Sequence, residues 1–99
     1  MAEGEHKRRK ELMKTLAKID DPAVLDRFFE DLCTPAELSA MADRWHCVQL
    51  LEEDLPYRAI YEQTGISTAT VTRVARCLTQ GRGGYRKALA LRKTPKKKE

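Results

Sequence analysis

Between Leu55 and Leu78 the chain reads LPYRAIYEQTGISTATVTRVARCL, two helical patterns interrupted only by Gly-Ile-Ser. A break that short forces the two helices to pack on each other, because no linker is left to separate them. Ile60 points inward from the first helix, Gly65 supplies a residue that tolerates positive φ, Ile66 returns to the core, and Ser67 is placed to cap the second helix. Val71, Val74, Ala75 and Leu78 then recur at i, i+3, i+4 and i+7, one apolar stripe. The opposite face is Thr68, Ala69, Thr72, Arg73 and Arg76, with no acid between Ser67 and Arg76. Small hydroxyl and methyl groups ahead of guanidinium groups suit base edges and phosphates. The segment, about residues 56–79, is predicted to be a helix-turn-helix. One residue conflicts: the inner position four before the glycine is usually small in this motif, and here it is Tyr61, so the ring must swing out or the crossing must open.

The motif assigns roles. Thr68, Ala69, Thr72 and Arg73 are expected to face a major groove, the N–H groups at Ser67 and Thr68 to be open to a phosphate, and Arg58 or Arg76 to lie on the backbone. Arg82, in the Gly81–Gly84 segment, is either a further backbone contact or a plain linker charge.

The remaining pattern is helical throughout. From about Lys7 to Ile19 the residues Leu12, Leu16 and Ile19 make one face opposite a basic one. Asp21 and Pro22 are a cap and first position for a second helix, to about Leu32, that presents Leu25, Phe28, Phe29 and Leu32. Thr34-Pro35-Ala36-Glu37 is a capping box opening a third helix to about Leu51. Leu38, Met41, Ala42, Trp45 and Val48 form its stripe, broadened by Leu50 and Leu51, so it is apolar on more than one side. Tyr85 to Leu91 is a last short helix resting on Leu89 and Leu91. No run alternates as a strand does. The expected architecture is all-α, about six helices, one domain over residues 1–92 with a basic disordered tail over 93–99.

Charge and cysteine usage narrow the function classes. The net charge of +4 is unevenly spread, with HKRRK at 6–10 and RKTPKKK at 92–98 against acidic stretches at 20–37 and 52–54. Such polarity suits nucleic acid on one surface and protein on another, although both basic ends also read as solvated tails. Cys33, Cys47 and Cys77 lie in or beside apolar stripes with no CxxC, and His6 and His46 have no ligand spacing, so no metal site is expected. Reduced thiols, no signal segment and no apolar run of roughly 20 residues predict a cytoplasmic protein without a membrane span. His46 beside Cys47 points away from it on a helix, so no catalytic residue and no enzyme is expected.

LCTPAELSAMADRWHCVQLL followed by YRAIYEQTGISTATVTRVARCL resembles the Trp repressor superfamily, and FFEDLCT with GRGGYRKAL resembles its YerC/YecD-type branch. The resemblance runs from about Phe28 to Leu89. It implies an intertwined all-helical homodimer whose two helix-turn-helix motifs read a two-fold-related operator on double-stranded DNA. The alternative is a dimeric helical interaction module that docks a protein and binds no DNA. The resemblance also marks a candidate ligand pocket at Thr34, Arg44, Arg73, Val74 and Cys77, because tryptophan-responsive members hold the indole between two arginines. There the second arginine is followed by glycine and the ammonium meets a serine, whereas this chain has Val74 and Cys77. A stiff isopropyl group in that slot is expected to overlap the ring, and a thiol binds an ammonium poorly. Thr34 as cap, Arg73 toward DNA and Arg44 paired with Glu37, Glu30 or a surface acid have local explanations of their own. Tryptophan is therefore not expected as corepressor, and no cofactor is expected.

Overall fold

A computed structural model describes residues 2–93, apart from the side chain of Ala2. They form six α-helices, α1 (Ala2–Lys18), α2 (Pro22–Leu32), α3 (Pro35–Glu52), α4 (Tyr57–Thr64), α5 (Thr68–Gln80) and α6 (Gly84–Lys93), with no strand among them. The chain falls into two compact units, the first ending at Leu38 and the second beginning at Ser39.

In the first unit, α1 starts well before the expected Lys7. Glu3 and Glu5 in its first turn and Lys18 in its last complement the helix dipole, which carries the helix into the polar N-terminal stretch. α2 opens as expected: Asp21 is extended, and its carboxylate accepts the Ala23 N–H at 3.0 Å. The capping box at the start of α3 is reciprocal, with the Thr34 N–H donating to Glu37 Oε1 at 2.8 Å and the Glu37 N–H to Thr34 Oγ1 at 3.1 Å. None of the side chains from Glu3 to Leu38 is buried. Leu12, Leu16, Leu25, Phe28 and Phe29 are half-covered, and Met13, Val24 and Leu32 are exposed.

The second unit has its own core: Cys47, Val48, Leu50, Ile60, Ile66, Val71, Val74, Leu78 and Leu89. Trp45, Leu51, Leu55 and Tyr85 pack against it. The apolar stripe of α3 is turned relative to expectation. Val48 and Leu50 of the expected set are buried, while Leu38, Met41, Trp45 and Leu51 are half-buried and Ala42 is exposed. α3 is apolar on two sides, and periodicity alone does not say which side a neighbour takes. α6 likewise rests on Tyr85, Ala88 and Leu89, with Leu91 63% exposed. Residues 89 and 91 are two apart, roughly 200° around a helix, so they cannot share a face. Lys93, expected in the tail, closes α6; residues 94–99 lie outside the described residues. No helix among the described residues is long and apolar enough to cross a membrane.

Candidate nucleic-acid interface

The turn between α4 and α5 is built residue by residue. Gly65 takes φ 80° and its N–H donates to the Tyr61 carbonyl at 2.8 Å, which ends α4. Thr64 Oγ1 donates to the Ile60 carbonyl at 2.6 Å and accepts the Ile66 N–H at 3.0 Å, which turns Ile66 back into the core. Ser67 caps α5 by accepting the Thr70 N–H at 3.1 Å, and its hydroxyl also lies 3.1 Å from that of Thr70. Tyr61 resolves its conflict by swinging out: the residue is 51% exposed while Ile60, beside it, is fully buried. The two helices therefore pack on an isoleucine, and the bulky residue remains at the surface.

α5 buries Val71, Val74 and Leu78 and leaves Thr68, Ala69, Thr72, Arg73 and Arg76 exposed. The arrangement is the one the spacing predicts. Thr72 adds a detail that spacing does not carry. Its hydroxyl donates to the Thr68 carbonyl at 2.8 Å, so it offers outward a methyl group and an acceptor, with its rotamer held. Arg58 is also less free than expected, because it lies 3.5 Å from the exposed Glu62 carboxylate one turn on. Arg73 and Arg76 form no ion pair among the described residues.

The candidate ligand residues divide. Arg44, Arg73 and Cys77 line one open cavity of about 560 Å³ together with Gly81, Arg82, Gly84 and Tyr85. Val74 does not line it. Its side chain and backbone are fully enclosed in the core, so the isopropyl group fills space beneath the helix and does not project into the slot. Thr34 belongs to the first unit, where it serves as the capping hydroxyl of α3. Arg44 makes no ion pair among the described residues, contrary to the expected surface pairing. It is half-buried and also lines a second cavity of about 200 Å³ with Asp43, Gly65, Ser67 and Thr70. Sequence reasoning missed Arg82 and Tyr85 as neighbours of Arg73. Tyr85 reaches that surface because its ring lies 6.3 Å from Trp45, a contact across forty residues that no local pattern signals.

The profile of the family described as Trp repressor protein matches residues 7–93. YerC of Bacillus subtilis (strain 168) is 39% identical over 79 residues, covering 80% of this chain and 76% of that protein. A TrpR-like protein from Eubacterium eligens ATCC 27750 superposes with a TM-score of 0.83 at 32% identity, covering 92% of this chain and 94% of its own. A candidate Trp repressor from Staphylococcus aureus gives a TM-score of 0.83 at 26% identity over 92% and 91% of the two chains. The chain belongs to the Trp repressor family and is similar within it to YerC.

Proposed function

We propose that this protein is a cytoplasmic, sequence-specific DNA-binding transcriptional regulator that acts as a homodimer on a two-fold-related operator, and that it is not an enzyme. The observation that carries the proposal is the outer face of α5: residues 68–76 present small groups, no carboxylate and two arginines that form no ion pair among the described residues, behind a tight, fully capped turn. Family membership supports the same reading. The uncovered apolar side chains of the first unit support the dimer, since a second copy is the simplest cover for Met13, Val24, Phe28, Phe29 and Leu32. In this reading the N-terminal half of α5 enters the major groove. The Thr68 and Thr72 methyl groups favour thymine, the Thr72 oxygen accepts from an exocyclic amine, and the N–H groups at Ser67 and Thr68 face a phosphate.

Selection of bound genomic fragments tests the proposal. A palindromic consensus is expected, and its affinity should fall steeply with salt, with a log–log slope of about −5 for roughly six neutralised phosphates. Retrieval of no consensus, together with a protein partner whose binding is insensitive to salt, would favour a helical interaction module instead.

A further inference from the structure

Lys7, Lys10, Lys14 and Lys18 are all exposed on α1. At 3.6 residues per turn they fall within about 80° of arc and form one row roughly 16 Å long. Leu12 and Leu16, both half-covered, stand on the opposite side of the helix. The basic stretch 6–10, which as sequence could equally be a solvated tail, is therefore helical and continuous with the lysines that follow it. From Lys7 to Lys18 the helix carries six cations and one acid, a charge of +5 against +4 for the whole chain. None of the six forms an ion pair among the described residues, not even with Glu11, the one acid.

The chemistry of the row selects its partner. Lys10, Lys14 and Lys18 are i,i+4 neighbours of like charge, which costs the free helix stability, so a polyanion that neutralises several at once relieves repulsion as well as supplying attraction. The core of a protein–protein interface is built on apolar and aromatic groups and is depleted in lysine, and the row has no large apolar or aromatic residue among its members. A bilayer would take the apolar side of the helix. That side is Leu12 and Leu16, already half-covered, and α1 has no aromatic residue. A row of flexible, strongly hydrated point charges suits a regular line of phosphates, which asks for charge and for no fixed geometry. Once α5 holds an operator, the adjoining duplex is present at high effective concentration, so contacts too weak to act alone add to affinity.

We propose that the lysine row of α1 binds the sugar-phosphate backbone of the duplex flanking the operator and widens the footprint without reading sequence. The proposal rests on the DNA-binding reading above and adds a surface that the reading does not use.

Two full-length variants test it, one with all four lysines changed to glutamine (K7Q/K10Q/K14Q/K18Q) and one with all four changed to arginine (K7R/K10R/K14R/K18R). The four positions are exposed and both replacements are good helix formers, so the fold is kept; circular dichroism and sedimentation check it. Affinity is measured across a salt series on a duplex trimmed to the selected operator and on one extended at both ends by unrelated sequence. At about 100 mM salt the wild type is expected to bind the extended duplex roughly tenfold or more tightly than the trimmed one, with a salt slope steeper by about 0.9 for each lysine engaged. The glutamine variant should bind both duplexes as the wild type binds the trimmed one, and the arginine variant should keep the gain. Base preference should be the same in all three proteins. A wild type with no gain on the extended duplex, or a glutamine variant that gains as much, refutes the row, while intact operator selection leaves the DNA reading standing. A gain that comes only with a second duplex in the complex, or binding to anionic phospholipid vesicles that the glutamine variant loses, gives the row to another polyanion and also overturns the proposal. If the wild type binds no duplex at any salt, both readings fall.

Discussion

Gly65 sits at φ 80° with nothing within 4 Å of where a Cβ would stand, so the cost of filling that position is backbone strain and not a clash. Gly65→Ala is expected to lose about 1–2 kcal/mol, whereas Gly65→Asn, whose side chain tolerates the left-handed region, loses less. Thermal unfolding of the two variants reads the difference, and equal midpoints would contradict it. On the outer face, Thr68 and Arg76 differ in the kind of contact they offer: Thr68 presents a short group at the leading end of α5, and Arg76 presents, two turns later, a charge with no ion pair among the described residues. Changing Thr68 is expected to alter preference by about 1–3 kcal/mol at one base pair, while Arg76→Ala weakens all sequences alike. Binding titrations on single-substitution operators separate the two. Wild-type behaviour in both variants would show that α5 is not the reader.

Between elements, one carboxylate holds the last helix to the end of the third. Lys93 Nζ donates to Glu52 Oε2 at 3.0 Å, and the Arg86 guanidinium lies 3.8 Å from the other oxygen. The hydrogen bond from Lys93, its charge and the more distant charge of Arg86 hold the Glu52 carboxyl below its ordinary range, against a partial desolvation that opposes them. A carboxyl whose folded value is lowered contributes stability above its unfolded value and loses it as pH falls through the folded one. The docking of α6 should therefore weaken in acid below about pH 4, the ordinary glutamate range, and Glu52→Gln should weaken it at neutral pH. Trp45 is the sole tryptophan and its ring is 6.3 Å from that of Tyr85 on α6, so its fluorescence reports the change. A Glu52→Gln emission spectrum identical to the wild type at both pH values would count against the latch. What the sequence disclosed follows the range of the forces involved. The Asp21 cap, the Thr34–Glu37 box and the Gly65–Ser67 turn are satisfied within three or four residues and were legible. The Glu52–Lys93 pair spans 41 residues and was not. The buried side of α3 and the inward burial of Val74 depend on neighbours that periodicity does not name, and the outward rotation of Tyr61 was one of two outcomes the sequence allowed.

At the level of the molecule, residues 3–38 carry amphipathic helices with no buried side chain, and a dimer built on them should leave no well-folded monomer. Sedimentation at low micromolar concentration checks this, and a compact, stable monomer there would overturn the proposed assembly. Ligand control is a second property of the whole. Arg44, Arg73 and Cys77 do meet at one cavity, yet Val74 has no exposed surface, so no bare backbone beside Arg73 is available for an indole to lie against. Calorimetry with millimolar L-tryptophan is expected to show no saturable heat and operator affinity no change; saturable binding coupled to tighter DNA binding would reverse this. The uneven burial also has a consequence for synthesis. Every buried side chain among the described residues lies from Cys47 to Leu89, so the N-terminal half leaves the ribosome with apolar faces exposed and no core to cover them. At about 5–20 residues per second, translating the core segment takes roughly 2–9 s. For that interval Phe28, Phe29 and Leu32 have no core to cover them, and if the proposed homodimer forms through these helices, its pairing should be able to begin between neighbouring chains on one polysome before either copy is released.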